Sequence, residues 1–314
     1  MKKVLLLTVV AALFLAAGAM PSPVPAEPQI ALLDSHNTRV FMGKHYPECG
    51  TTNKPYYLGA DEYQRYFRGW QWVLDKEGLP YRIIVDDDVT AAGLADFNLL
   101  ILSNDASLSD AQAKAIQKWV IGGGRLLATF GSGYKSLASD PRQDDGLKVQ
   151  EGGTFGLHQL WHDPVGKIFS TLWIDSGVDV NITRYEGPTE DLKGKLINNV
   201  LGYGAEANLL IQRPISHKDV LAFLVIDNPD WKSTTPAIIA TKQSKGLVVY
   251  FAFAPEYIVY KELEYYHFHP AQLPEDWTAL PADWPSCDDT QNWSGRSADL
   301  RTLMVGTLNY LLNN

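Results

Sequence analysis

Three consecutive glycines, Gly122–Gly124, separate a run that reads as a helix from one that reads as a buried strand. No other feature constrains the fold as tightly. Upstream, Asn98–Asn104 is a short apolar run, Asn-Leu-Leu-Ile-Leu-Ser-Asn, that ends in polar residues. Ser109 and Gln112 have the spacing of a capping box, in which each side chain satisfies the other's backbone amide. Ala113, Ile116, Trp119 and Val120 then recur at helical spacing. The glycines end that helix, and Arg125–Phe130 runs back as a second strand. Strand, helix and strand in this order make one crossover of a parallel sheet, because parallel neighbours cannot be joined by a tight turn.

The same pattern precedes the glycines. Gln29–Asp34 reads as a first strand, and Tyr46–Gly59 as a loop. Asp61 starts a helix whose Tyr63, Tyr66, Phe67, Trp70, Val73 and Leu74 share one face. Gly78 and Pro80 close it, and Tyr81–Val85 forms a strand ending in Asp86-Asp87-Asp88. Alternating strands and helices predict an α/β fold with a doubly wound, mostly parallel sheet in a flavodoxin-like three-layer arrangement. Residues 168–254 add a β-rich C-terminal elaboration, with runs at Phe169–Ile174, Leu209–Gln212, Val220–Ile226, Ala237–Ala240 and Leu247–Phe253. Residues 262–293 read as an aromatic- and proline-rich insertion without periodicity, and Ser297 opens a final helix. Residues 27–314 are expected to form a single domain.

Residues 1–26 read as a signal peptide with a Pro-rich linker. Lys2-Lys3 precede the apolar stretch Val4–Ala17, and cleavage is expected after Ala19 or Ala26. The apolar stretch is shorter than a spanning helix requires, so no membrane span is expected after cleavage. Export to the periplasm or the extracellular space follows. There Cys49 and Cys287, the two cysteines of the chain, are expected to form a disulfide. The formal charge of −9 argues against nucleic acid, which calls for a basic stripe.

Two places resemble the class I glutamine amidotransferase-like superfamily. One is the triple-glycine crossover with its elbow Gly131-Ser132-Gly133. The other is Phe253-Ala254-Pro255-Glu256. In active members the second motif is Phe-His-Pro-Glu, and its histidine and glutamate complete a Cys-His-Glu triad. Here Glu256 matches, Ala254 stands in the histidine position, and the cysteine position falls at or beside Gly131. Within the superfamily, Phe97–Ser136 resembles the non-catalytic β-galactosidase trimerisation domain, with Gly133-Tyr134-Lys135-Ser136 as its turn, and ThuA-like proteins are a second relative. The resemblance implies a pseudoenzyme of the non-catalytic branch, without glutaminase activity; no cofactor is expected.

Ligands of such sheets bind where the strand ends converge. The acids there, Asp34, Asp86 and Asp105, with His36 and Ser132, are candidate contacts for sugar hydroxyls, and Trp277 or Trp284 of the insertion for stacking on a sugar ring. Tyr265 is a further stacking candidate. His158, His162 and Asp163, and the set Glu262, Glu264, His267 and His269, have spacings compatible with a metal, but neither is chosen as a metal site. The expected partner is a glycan or an envelope protein, with oligomerisation left open. The alternative is a glycan- or ester-directed hydrolase using the strand-end Asp residues, with or without a metal.

Overall fold

Apolar runs become strands in the order the sequence spaces them, and the chain then reverses across the first one. The computed structural model describes residues 29–45, 62–133, 135–136, 171–178, 180–185, 207–212, 219–226, 234–287 and 297–314. Strand β1 (Ile30–Asp34) lies between β2 (Tyr81–Val85) and β3 (Leu99–Leu102), parallel to both. The parallel run continues through β5 (Arg125–Thr129) to β12 (Gly246–Phe251). Beyond β12 the sheet turns antiparallel through β11 (Thr234–Gln243), β10 (Asp219–Ile226) and β8 (Val180–Tyr185), which completes eight strands. Two short pairs stand apart: β4 (Ser107–Leu108) with β6 (Lys135–Ser136), and β7 (Thr171–Val178) with β9 (Ala207–Gln212). The doubly wound α/β reading holds, as does its β-rich continuation.

Five α-helices dress the sheet among the described residues: α1 (His36–His45), α2 (Glu62–Lys76), α3 (Asp110–Gly122), α4 (Pro255–Phe268) and α5 (Ala298–Asn313). The capping box of α3 forms as expected, with Ser109 accepting from the Gln112 amide and Gln112 from the Ser109 amide. Gly123 takes φ 126° at its C-cap, a conformation that favours glycine. The chain leaves β1 toward β2 in one direction and toward β3 in the other. Right-handed crossovers therefore put α2 and α3 on opposite faces and make the β1–β3 boundary the topological switch point.

Two of the helices differ from the sequence reading. Helix α1 follows β1 directly, although His36–His45 shows little amphipathic pattern. The segment expected to be aperiodic from residue 262 is helical to Phe268, because α4 begins at Pro255. Helix α4 is buried nearly all round, so it has no polar stripe from which a period can be read. It packs on α2 at Gly69, where an added Cβ would lie 2.2 Å from the Glu256 carbonyl oxygen.

Candidate functional site

At the switch point the expected crevice is filled. The Tyr63 hydroxyl reaches from α2 to the Leu33 carbonyl at 2.9 Å and to Asp105 Oδ1 at 2.7 Å, and it accepts from the Ser35 amide at 2.9 Å. A phenol has one proton. If Tyr63 gives it to Leu33, which can only accept, Asp105 must donate in turn and is therefore protonated. Burial agrees, since it raises the Asp105 carboxyl well above the usual carboxylate range against the pull of its Tyr63 and Ser103 hydrogen bonds. Asp86 closes the other side of the crevice. Its carboxylate accepts from Ser35 Oγ, the Asn37 amide and Gln112 Nε2, tying the end of β2 to the first turns of α1 and α3. Burial raises its pKa too, against those hydrogen bonds.

The elbow after β5 is held on several sides by hydrogen bonds to the surrounding fold. Phe130 takes φ 44°, so the strained residue at the strand-to-turn corner is a phenylalanine. Its amide donates to the Phe251 carbonyl at 2.9 Å, and the Gly131 amide donates to Asn104 Oδ1 at 2.9 Å. Ser132 is buried and turns its hydroxyl inward, 2.7 Å from the Thr129 carbonyl and 3.1 Å from that of Leu102. Across from the elbow, Ala254 is the N-cap of α4, and Glu256 accepts from Thr129 Oγ1 at 2.5 Å. Burial pushes the Glu256 carboxyl up to about 8, against the hydrogen bond from Thr129. A nucleophile needs a thiolate or an activated hydroxyl beside a base. Phe130, Gly131 and Ala254 supply neither.

A second enclosed cluster joins α2 to α4. Arg65 bonds Glu264 at 2.9 Å, Glu62 at 3.5 Å and the Tyr257 hydroxyl at 3.1 Å, and Lys261 lies 3.8 Å from Glu264. The carboxylates also hold backbone: Glu264 Oε1 accepts from the Cys287 amide at 3.0 Å, and Glu262 Oε2 from the Ser297 amide at 2.5 Å. Glu262 and Glu264 thus clamp both ends of the stretch between Cys287 and Ser297. They do not meet His267, which is exposed, or His269, which stacks on Tyr265.

The open feature lies beside the filled crevice. A cavity of about 470 Å³ is lined by Arg39 of α1, Gln64 and Arg68 of α2, and Ala282, Asp283, Trp284 and Pro285. Arg39 bonds Asp34 at 2.7 Å, which brings the end of β1 to its rim. The Arg68 guanidinium lies 4.9 Å from the Trp284 ring centroid, and its Nε donates to Gln64 Oε1 at 3.2 Å. The strand end and the aromatic segment therefore do meet. They meet through Arg39 and Arg68, and no spacing in the sequence distinguishes the cavity-facing Arg68 from the wholly enclosed Arg65 one turn earlier.

The expected contacts separate into two groups. Asp34 is half-buried, His36 exposed and Trp284 half-buried, so these three remain within reach of a ligand. Asp105, Ser132 and Trp277 do not. Asp105 and Ser132 have no exposed surface, and Trp277 is stacked on Trp72 at 4.8 Å and braced by Tyr266, with Arg301 over its ring. Apolar packing claims the Trp277 indole, and hydrogen bonds to the fold claim the other two. Asp86 is nearly enclosed. Cys287 is buried, whereas Cys49, the leader 1–26 and the set His158, His162 and Asp163 lie outside the described residues. Among the described residues no three His, Cys, Asp or Glu side chains cluster to hold a metal, and no helix is long and apolar enough to cross a membrane.

Comparison with known proteins places this architecture. No family model matches the chain, and no curated protein matches it. Among solved structures it resembles a β-galactosidase from Bacillus circulans sp. alkalophilus, with a TM-score of 0.51 and 14% identity, over 75% of this chain and 30% of that one. A β-galactosidase from Rahnella sp. R3 has a TM-score of 0.48 and 16% identity, over 79% of this chain and 32% of that one. A ThuA-like protein from Bacteroides uniformis ATCC 8492 has a TM-score of 0.43 and 12% identity, over 76% of this chain and 86% of that one. The first of these likenesses, at a TM-score of 0.51, bears out the resemblance drawn from Phe97–Ser136 at the level of the fold. The chain spans about a third of the length of the β-galactosidases it matches.

Proposed function

We propose that this chain is an exported, non-catalytic domain of amidotransferase-like fold that binds carbohydrate in the Arg39–Trp284 cavity. The elbow carries the non-catalytic half of the reading: Phe130 holds the strained corner, and Ala254 stands where a base would act on it. The cavity supports the binding half. It combines donors on α1 and α2, an acceptor at Asp283 and an apolar wall at Trp284 and Pro285, the mixture a sugar ring requires. The β-galactosidase likeness is consistent with a carbohydrate setting. Hydrolysis by the strand-end acids is less well supported, since Asp105 has no solvent access and Asp86 is enclosed by donors.

Export places the cavity where envelope or environmental glycans are available. An envelope protein that displays such a glycan would be the natural partner, with self-association as a further assembly. In that compartment Cys49 and Cys287 would pair and fasten the early loop beside α4. N-terminal sequencing of the mature protein should begin after Ala19 or Ala26, and non-reducing mass analysis should find no free thiol.

The deciding experiment is a glycan-binding screen on the purified mature chain, with Trp284→Ala as its partner. Binding is expected for the parent and should be lost in the variant, while glutamine should release no ammonia. Absence of every glycan from the screen would overturn the binding reading. Ammonia release that disappears in Ser132→Ala would overturn the non-catalytic one.

A further inference from the structure

The cavity has a chemical asymmetry that narrows its ligand. Arg68 has five N–H donors, of which Nε goes to Gln64 Oε1 and Nη1 to Gln71 Oε1. Its Nη2 end has no protein acceptor among the described residues. Both acceptors it does use are neutral amides, so among the described residues no carboxylate contacts this cation. The indole of Trp284 against the guanidinium face holds the group in place. Arg39 differs, because Asp34 neutralises it at 2.7 Å. Gln64, with its Oε1 already accepting from Arg68, keeps its NH₂ as a donor into the same space.

Opposite these donors stands Asp283, which as a carboxylate can only accept. Donors and an unneutralised cation thus occupy the helix wall, and an acceptor occupies the loop wall. A neutral sugar would leave the charged fork of Arg68 without a charged partner. A sugar bearing an anionic group would fill it bidentately while offering its hydroxyls to Asp283. The net charge of the chain, −9, provides no long-range attraction for an anion, so recognition must come from these short-range contacts.

We infer that the cavity selects an acidic sugar, with a carboxylate or sulfate held by Arg68 and Gln64, the ring beside Pro285 and the part of Trp284 that Arg68 and Tyr260 leave uncovered, and hydroxyls on Asp283. The inference rests on the carbohydrate-binding reading above and specifies its ligand class. Calorimetry on the mature chain tests it with four probes: trigalacturonate, its fully methyl-esterified form, a sulfated galactose trisaccharide and inorganic sulfate.

At least one anionic trisaccharide should bind about tenfold or more tightly than the neutral ester, as a charged hydrogen-bond pair requires. The carboxylate and sulfate arms distinguish which anion is used. Arg68→Gln should bring the affinity ratio of anionic sugar to ester down to about one, with an unaltered melting temperature as the folding control. Trp284→Ala should weaken both. Equal binding of ester and acid overturns the inference and leaves the carbohydrate reading standing. Binding of inorganic sulfate as tightly as the sulfated trisaccharide overturns both, because the sugar then contributes nothing. Silence of all four probes, together with an empty glycan screen, overturns both as well.

Discussion

Two groups of acidic side chains are almost equally deprived of water in this protein, and they are accommodated in opposite ways. At the switch point, Asp105 and Asp86 sit among neutral donors, and burial drives their carboxyls toward the protonated form. Glu256, beside the elbow, belongs with them. Between α2 and α4, Glu62 and Glu264 are met by Arg65, with Lys261 beside Glu264. Enclosure is therefore met by neutral donors at one site and by cations on neighbouring helix turns at the other, and the two clusters should respond differently to substitution.

Arg65→Ala should produce the largest effect. It strands Glu62 and Glu264 in a dry interface, at about 3–5 kcal/mol in urea unfolding. A loss below about 1 kcal/mol would show that the two clusters are alike after all. Next is the pH dependence of stability. A carboxyl protonated in the fold but ionised in the unfolded chain gives the native state more bound protons. Its contribution is therefore full below its ordinary value of 4.5 and is lost as pH rises toward about 8 for Glu256. Asp86 and Asp105 act in the same direction. Denaturant curves from pH 4.5 to 8.5 should lose a few kcal/mol, and Glu256→Gln should flatten much of that slope. An unchanged slope in this variant would place the protons elsewhere.

Gly69→Ala tests whether the paired cluster depends on close helix approach. Its Cβ would meet the Glu256 carbonyl oxygen at 2.2 Å, so α4 must shift, at about 1–3 kcal/mol in the same assay. Asp105→Asn should matter least. An amide donates to Tyr63 as the protonated acid does, so the cost should stay below about 1 kcal/mol, whereas Asp105→Ala removes the donor altogether and should cost more. Equal losses for the two variants would assign the Tyr63 proton to Asp105 instead of Leu33.

What could be read from the sequence follows from the same contrast. Elements with one wet face announced themselves: α3 through Ser109, Gln112 and the glycines, and α2 through its aromatic stripe. Helix α4 did not, because Tyr257 to Glu264 are all enclosed and a helix without a wet face has no visible period. The strand-end acids were correctly placed along the chain, but their role was not. Asp105 gives no sign in one dimension that Tyr63, on a different element, will cover it. The same holds for the cavity, whose Arg39, Arg68 and Asp283 come from three separate segments, and for Trp277, claimed by Trp72.

The strand order carries a consequence for how the chain is made. Strand β5 is flanked by β3 and by β12, and residues 130 to 245 intervene before β12 is reached. During synthesis the first four parallel strands can assemble early, yet the outer margin of β5 stays unpaired until nearly four-fifths of the polypeptide exists. Closing so distant a contact is slow, and an uncapped apolar margin is a template for other chains. Prematurely terminated products that stop before Gly246 are thus expected to aggregate, and the seam between β5 and β12 is where newly made protein has most need of a holding factor.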